Sequence, residues 1–134
     1  MIERIRVAAI IIQGHNLLLV KGSDKYKEFW TPGGKLEAGE SELECLKREL
    51  DEEINVKVVS AKFFGEYAEK APYAENVLSI SRVYIVSISG KIKTAKEIQG
   101  YVWMTRKEFE AEKYPLVAAT GKKIIPDIIK AGYF

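Results

Sequence analysis

Glu49, Glu52 and Glu53 lie close together in the segment GKLEAGESELECLKRELDEEINV, residues 34–56, with Glu40, Arg48 and Asp51 nearby. The spacing predicts a helix here, and the acids crowd its last turns. That end already carries partial negative charge, so each carboxylate costs roughly some tenths of a kcal/mol. Mutual repulsion adds to the cost. Such a cluster calls for a counter-charge from outside the chain, most simply a divalent metal. Metal held by carboxylates points to chemistry on a phosphate compound.

The helix itself sets which acids act together. At about 100° per residue, Glu53 lies about 40° to one side of Glu49 and Glu52 about 60° to the other, so the three share an arc of about 100°. Leu43, Leu46, Leu50 and Ile54 fall beside that arc and are the expected buried stripe, while Asp51 points away into solvent. Oxygen donors of this kind suit hard cations. Magnesium fits best because it keeps waters for an incoming phosphate, and manganese is a substitute. A solvated acidic helix face is the plainer reading of the same run.

The ends of that helix are legible. Ser41 with Glu44 three residues later has the pattern of a capping box. Asn55 is the non-glycine residue best suited to the left-handed position that ends a helix. Ahead of the helix, WTPGG (residues 30–34) is expected to be irregular, because Pro32 lacks an N–H and the paired glycines permit close backbone approach.

These residues resemble the signature of the Nudix hydrolase family, G-x5-E-x7-R-E-U-x-E-E-x-G-U with U aliphatic. Gly34, Glu40, Arg48, Glu49, Leu50, Glu52, Glu53 and Val56 stand where that pattern asks, and only Asn55 departs from it, replacing the final glycine. The resemblance implies a magnesium-dependent hydrolase that cuts the pyrophosphate bond of a nucleoside diphosphate derivative. It implies metal ligation by Glu49, Glu52 and Glu53, with the carbonyl of Gly33 joining them. Arg48 and Glu40 would form a supporting pair. The general base varies in the family; Glu52 or Glu53 is expected here, with Glu97 as an outside candidate. Substrates suggested by the resemblance are ADP-ribose, nucleoside triphosphates including oxidised ones, and diadenosine polyphosphates. Two markers downstream of the signature, Pro72 and Tyr73, point to different substrates and do not decide. The alternative reading is a catalytically silent Nudix-fold module that binds a nucleotide or RNA. A full acidic set weighs against it.

Residues for substrate contact are less specific. Trp30, Tyr67, Tyr73 and Tyr84 could stack a base, and Lys21, Lys35 and Arg82 could touch phosphate. Arg82 interrupts an otherwise apolar strand face, which suggests a polar cleft.

The remaining elements must hold the helix in place. Residues 5–13 are apolar and β-branched, Gly14-His15-Asn16 turns the chain, and residues 17–21 return, giving a hairpin. A polar loop is expected at 22–28. Strands follow at 56–67, 77–89 and 100–104, then a Thr105-capped helix to about 112, and a helical tail over 117–131 with Pro126 as a kink or restart. This pattern predicts an α+β fold with a mixed, mostly antiparallel sheet, and the resemblance implies an α/β/α sandwich in which helices flank that sheet.

Bulk properties set outer bounds. At 134 residues, with 47% hydrophobic and 30% charged residues, the chain suits one domain spanning 1–134 with its own core. A formal net charge of +2 gives no argument for a nucleic-acid partner. One cysteine, Cys45, excludes a disulfide framework and reads as a small buried hydrophobe. The N-terminal apolar run is too short for a membrane span, so no membrane partner and a cytoplasmic location are expected. A small-molecule nucleotide is the expected partner, and a homodimer is common among similar proteins.

Overall fold

A computed structural model describes residues 1–22, 27–71 and 74–134. Most of the 22–28 loop, and both Pro72 and Tyr73, lie outside the described residues. In chain order the elements are β1 (Ile2–Ile10), β2 (Ile12–Gln13), β3 (Asn16–Lys21), β4 (Phe29–Trp30), β5 (Gly33–Lys35), α1 (Glu42–Ile54), β6 (Lys57–Lys70), β7 (Val77–Ser89), β8 (Gly100–Met104), α2 (Arg106–Glu110), a π-helical turn (Thr120–Ile124) and α3 (Ile125–Lys130).

The strands form two sheets. One has the order β5-β1-β7-β6, in which β1 and β7 run parallel and the other pairs antiparallel. The second places β2, β4 and β8 around β3, all antiparallel. The expected hairpin is therefore shorter than its apolar run. Only β2 and β3 pair, closed by Gly14 and His15 at φ 55° and 68°, both in the left-handed region that a tight two-residue turn demands. The chain changes sheets at Ile11. A strand buried on both faces reads as a continuous apolar run, and such a run does not reveal where it leaves one sheet for another.

Two cores follow from the alternation along β1. Val7, Ala9 and Ile11 face α1 and pack with Leu46, Leu50, Ile54 and Val86. Ala8 and Ile10 face the other way, onto Met104, Ile125 and Ile128. The buried side of α1 is Cys45, Leu46, Leu50 and Ile54; Leu43, in the first turn, is 44% exposed. Cys45 takes its place because the β5 backbone covers it. Its Sγ lies 3.7 and 3.5 Å from the carbonyl oxygens of Gly34 and Lys35.

The helix caps form as the sequence indicates. Ser41 and Glu44 exchange reciprocal hydrogen bonds, and Asn55 sits at φ 59°, ψ 41°. Thr105 and Glu108 make a second capping box on α2. The WTPGG segment is more regular than expected: Trp30 ends β4 and the two glycines open β5, leaving only Thr31 and Pro32 between strands. Lacking an N–H, Pro32 still contributes its carbonyl, which accepts from Ala9 N–H at 2.8 Å. In the tail, the π-helical turn leads into α3, and Pro126 falls in the first turn of α3, where a missing N–H costs least. No helix among the described residues is long and apolar enough to cross a membrane.

Candidate active site

The two glycines of β5 explain how the helix reaches the strand. A Cβ on Gly33, at φ 142°, would lie 2.0 Å from the Val7 carbonyl oxygen, and one on Gly34 would lie 2.2 Å from the Glu49 carboxyl carbon. β5 is thus wedged between β1 and α1, with no room for a side chain at either glycine. That closeness lets Gly33 N–H donate to Glu53 Oε1 at 3.1 Å.

Arg48 organises the acids around it. Its Nε and Nη2 donate to the two oxygens of Glu40 at 2.6 and 3.0 Å, a two-pronged pair. Its Nη1 lies 2.7 Å from Glu49 and 3.4 Å from Glu52, and Nη2 also donates to the Lys35 carbonyl at 3.1 Å. The Arg48 fork holds the Glu40 carboxyl down to about 2, and Glu40 in turn raises Arg48. One guanidinium therefore ties the loop before α1 to the metal-ligand candidates.

The acids themselves are unequal. Glu53 is the most enclosed, and burial pushes its carboxyl up to about 7, against the opposing charge of Arg6. Glu52 is held below the usual range, first by Lys96, whose Nζ lies 2.6 Å from its Oε2. Glu49 is wedged beside Gly34. Asp51 is exposed, as expected, and pairs with Lys57 at 3.2 Å.

Glu49 and Glu53 open onto a cavity of about 1190 Å³. Trp30, Gly33, Lys35 and Glu97, all singled out from sequence, line it too. The structure adds Arg4 and Arg6 from β1, Glu28, Lys96, and an apolar wall of Leu116, Val117 and Ala118. Arg6 Nη2 donates to the Thr31 carbonyl, and burial lowers its pKa while Glu53 and Glu49 raise it. Alternation at strand period puts Arg4 and Arg6 on one face, a signal present in the sequence but without meaning until the cavity is known.

Other residues are placed apart. Arg82 is in register with Val7 and shares its face, toward α1 and away from the cavity. There it pairs with Glu42 at 3.1 Å and Glu66 at 2.9 Å and lies 4.3 Å over the Phe63 ring. The polar surroundings suggested for it are these two carboxylates. Tyr84 donates to Glu42 at 2.6 Å, and Tyr67 to Asp127 at 2.7 Å, so both phenols tie elements together. Lys21 ends β3, paired with Phe29 and Gly100, and does not line the cavity.

The donor set is all oxygen, which fits a hard cation. Among the described residues no three acidic, imidazole or thiol side chains converge into a finished cage. Magnesium does not need one: it binds through one or two carboxylates and completes its shell with water and substrate phosphate.

Comparison with known proteins identifies the family. An 8-oxo-dGTP diphosphatase of Haemophilus influenzae is 28% identical over 96 residues, covering 72% of this chain and 68% of its own. A CTP pyrophosphohydrolase of Escherichia coli is 28% identical over 116 residues, covering 84% of this chain and 82% of its own. The solution structure of the E. coli ORF135 protein matches with a TM-score of 0.79 at 26% identity, over 98% of this chain and 94% of that one. The NUDIX domain model matches residues 3–128. With that match over nearly its whole length, and with the acids and Arg48 arrayed on α1 beside the cavity, the chain belongs to the Nudix family and is a Nudix-type hydrolase.

Proposed function

We propose that this hydrolase cuts a pyrophosphate bond of a nucleoside triphosphate, with magnesium held by Glu49, Glu52 and Glu53. The observation that carries the reading is the placing of Glu49 and Glu53, beside Arg4, Arg6 and Lys35, on the wall of one cavity that also presents Trp30. The cations suit a polyphosphate, and the Trp30 and 116–118 surfaces suit a flat base. The names of the relatives favour triphosphates over ADP-ribose and diadenosine polyphosphates.

Bound magnesium supplies charge neutralisation and a water acidic enough to attack phosphorus at neutral pH. The chain's own groups do the rest. Gly33 N–H donates to Glu53 Oε1 and fixes its orientation, and burial raises the Glu53 carboxyl to about 7 in the metal-free protein, a preference for the proton that a bound cation would displace. Arg48 and Glu40 keep α1 and the preceding loop in register. Glu97 lines the same cavity and is the second candidate for the base.

The test is incubation with 8-oxo-dGTP, CTP, the other triphosphates, ADP-ribose and a diadenosine polyphosphate, with and without magnesium, followed by phosphorus NMR. Pyrophosphate and a nucleoside monophosphate from a triphosphate are expected. Cleavage of ADP-ribose in preference to every triphosphate would overturn the substrate assignment.

A further inference from the structure

We infer that Lys96 is a phosphate-positioning residue which, before metal arrives, is parked on the metal ligand Glu52. The inference rests on the metal-dependent reading above and adds a cation that neither the signature nor the family match assigns.

Three observations carry it. Lys96 Nζ lies 2.6 Å from Glu52 Oε2, one of the oxygens a cation would need. The side chain is 57% exposed and lines the same cavity as Glu49 and Glu53, so the ammonium is free to swing to another anion there. The backbone beneath it, by contrast, is fixed. Lys93 N–H donates to the Ile54 carbonyl at 3.0 Å and Ala95 N–H to the Glu53 carbonyl at 2.9 Å, capping the end of α1, and Ile98 is buried in the core. Lys96 itself sits at φ 55°, a left-handed conformation that a non-glycine residue rarely adopts. The loop thus holds a lysine in a disfavoured backbone state at the rim of the site, a pattern found where placement matters.

The electrostatics favour an exchange. Glu52 Oε2 already takes Lys96 at 2.6 Å and Arg48 at 3.4 Å, and a divalent ion arriving on this carboxylate would repel the ammonium, the more mobile of the two cations. Metal binding would thereby loosen Lys96 from Glu52, and the polyphosphate that follows the metal into the cavity offers the ammonium a new anionic partner. Lys96 would act on the phosphates as a mobile point charge, with three donors and a flexible stem. It opposes metal binding in the empty protein and assists substrate binding in the loaded one.

The test pairs two readouts on Lys96→Met and Lys96→Arg. Magnesium or manganese affinity of the nucleotide-free protein is measured by calorimetry, and KM and kcat are measured on whichever triphosphate the wild type cleaves. Thermal melts check that both variants fold. Lys96→Met is expected to bind metal about three- to tenfold more tightly, the size of an exposed pair relieved, while its KM rises about tenfold with kcat changed less. Lys96→Arg should restore KM. Unchanged or weaker metal binding by a folded Lys96→Met, or an unchanged KM, would overturn the inference. A wild type that binds no metal, or turns over without it, would instead overturn the reading on which the inference stands.

Discussion

Glu53→Gln should make the metal-free protein more stable at alkaline pH, although it removes a charge that faces Arg6. The Glu53 carboxyl is raised from 4.5 to about 7, chiefly by burial. A raised acid favours its protonated form in the fold, so the carboxylate carries no penalty below pH 4.5. The penalty grows between pH 4.5 and 7 and is complete above 7. That interval corresponds to about 3 kcal/mol. Glutamine mimics the neutral acid and keeps an acceptor for Gly33 N–H, now 3.1 Å from Oε1. Urea unfolding in EDTA at pH 4.5, 6 and 8 gives the measurement. The two proteins should coincide at pH 4.5, and the variant should lead by up to about 3 kcal/mol at pH 8. Added magnesium should narrow the gap by stabilising the wild type more than the variant, which lacks one of the three proposed ligands. A variant no more stable than wild type at pH 8 would contradict the argument, because it would mean that the Arg6 attraction outweighs desolvation.

Gly34→Ala pushes a methyl into the Glu49 carboxylate and should lower kcat about a hundredfold, whereas Gly33→Ala meets the Val7 carbonyl and should cost about 3 kcal/mol or more in denaturant unfolding. Arg48→Lys keeps the charge but loses the two-pronged contact with Glu40, so a loss of about 2 kcal/mol is expected by the same assay. Cys45 is fully buried and its thiol is pushed up to about 12. It should resist iodoacetamide in the native protein at pH 8 and react on unfolding, as mass spectrometry would show.

Features encoded locally were the ones the sequence revealed. The Ser41 and Thr105 caps and the Asn55 terminus depend on neighbours a few residues away and stand as read, and strands β7 and β8 keep the bounds that their own residue types and flanking turns indicate. The acids on α1 were legible because helical geometry fixes their arc. Long-range pairing was not. The apolar run through β1 and β2 gives no sign of the change of sheet at Ile11, since both faces of β1 are buried. Strand β6 reaches Lys70, three residues beyond the expected end, because its partner β7 continues beside it through Leu78. Leu43 follows the helical period yet is exposed, and Cys45 is buried off that period by the backbone of β5. Arg82 fell on the wrong face for the cavity, while Arg4, Arg6, Lys96 and residues 116–118 reach it through contacts between distant segments.

The most direct test of the account is the rate of pyrophosphate release from a cleaved triphosphate as magnesium is titrated into EDTA-treated enzyme. The account predicts negligible release in EDTA, recovery with magnesium in the wild type, and a rate lower by orders of magnitude in Glu49→Gln at any magnesium concentration. Full-rate hydrolysis in EDTA, or undiminished activity in that variant, would contradict it.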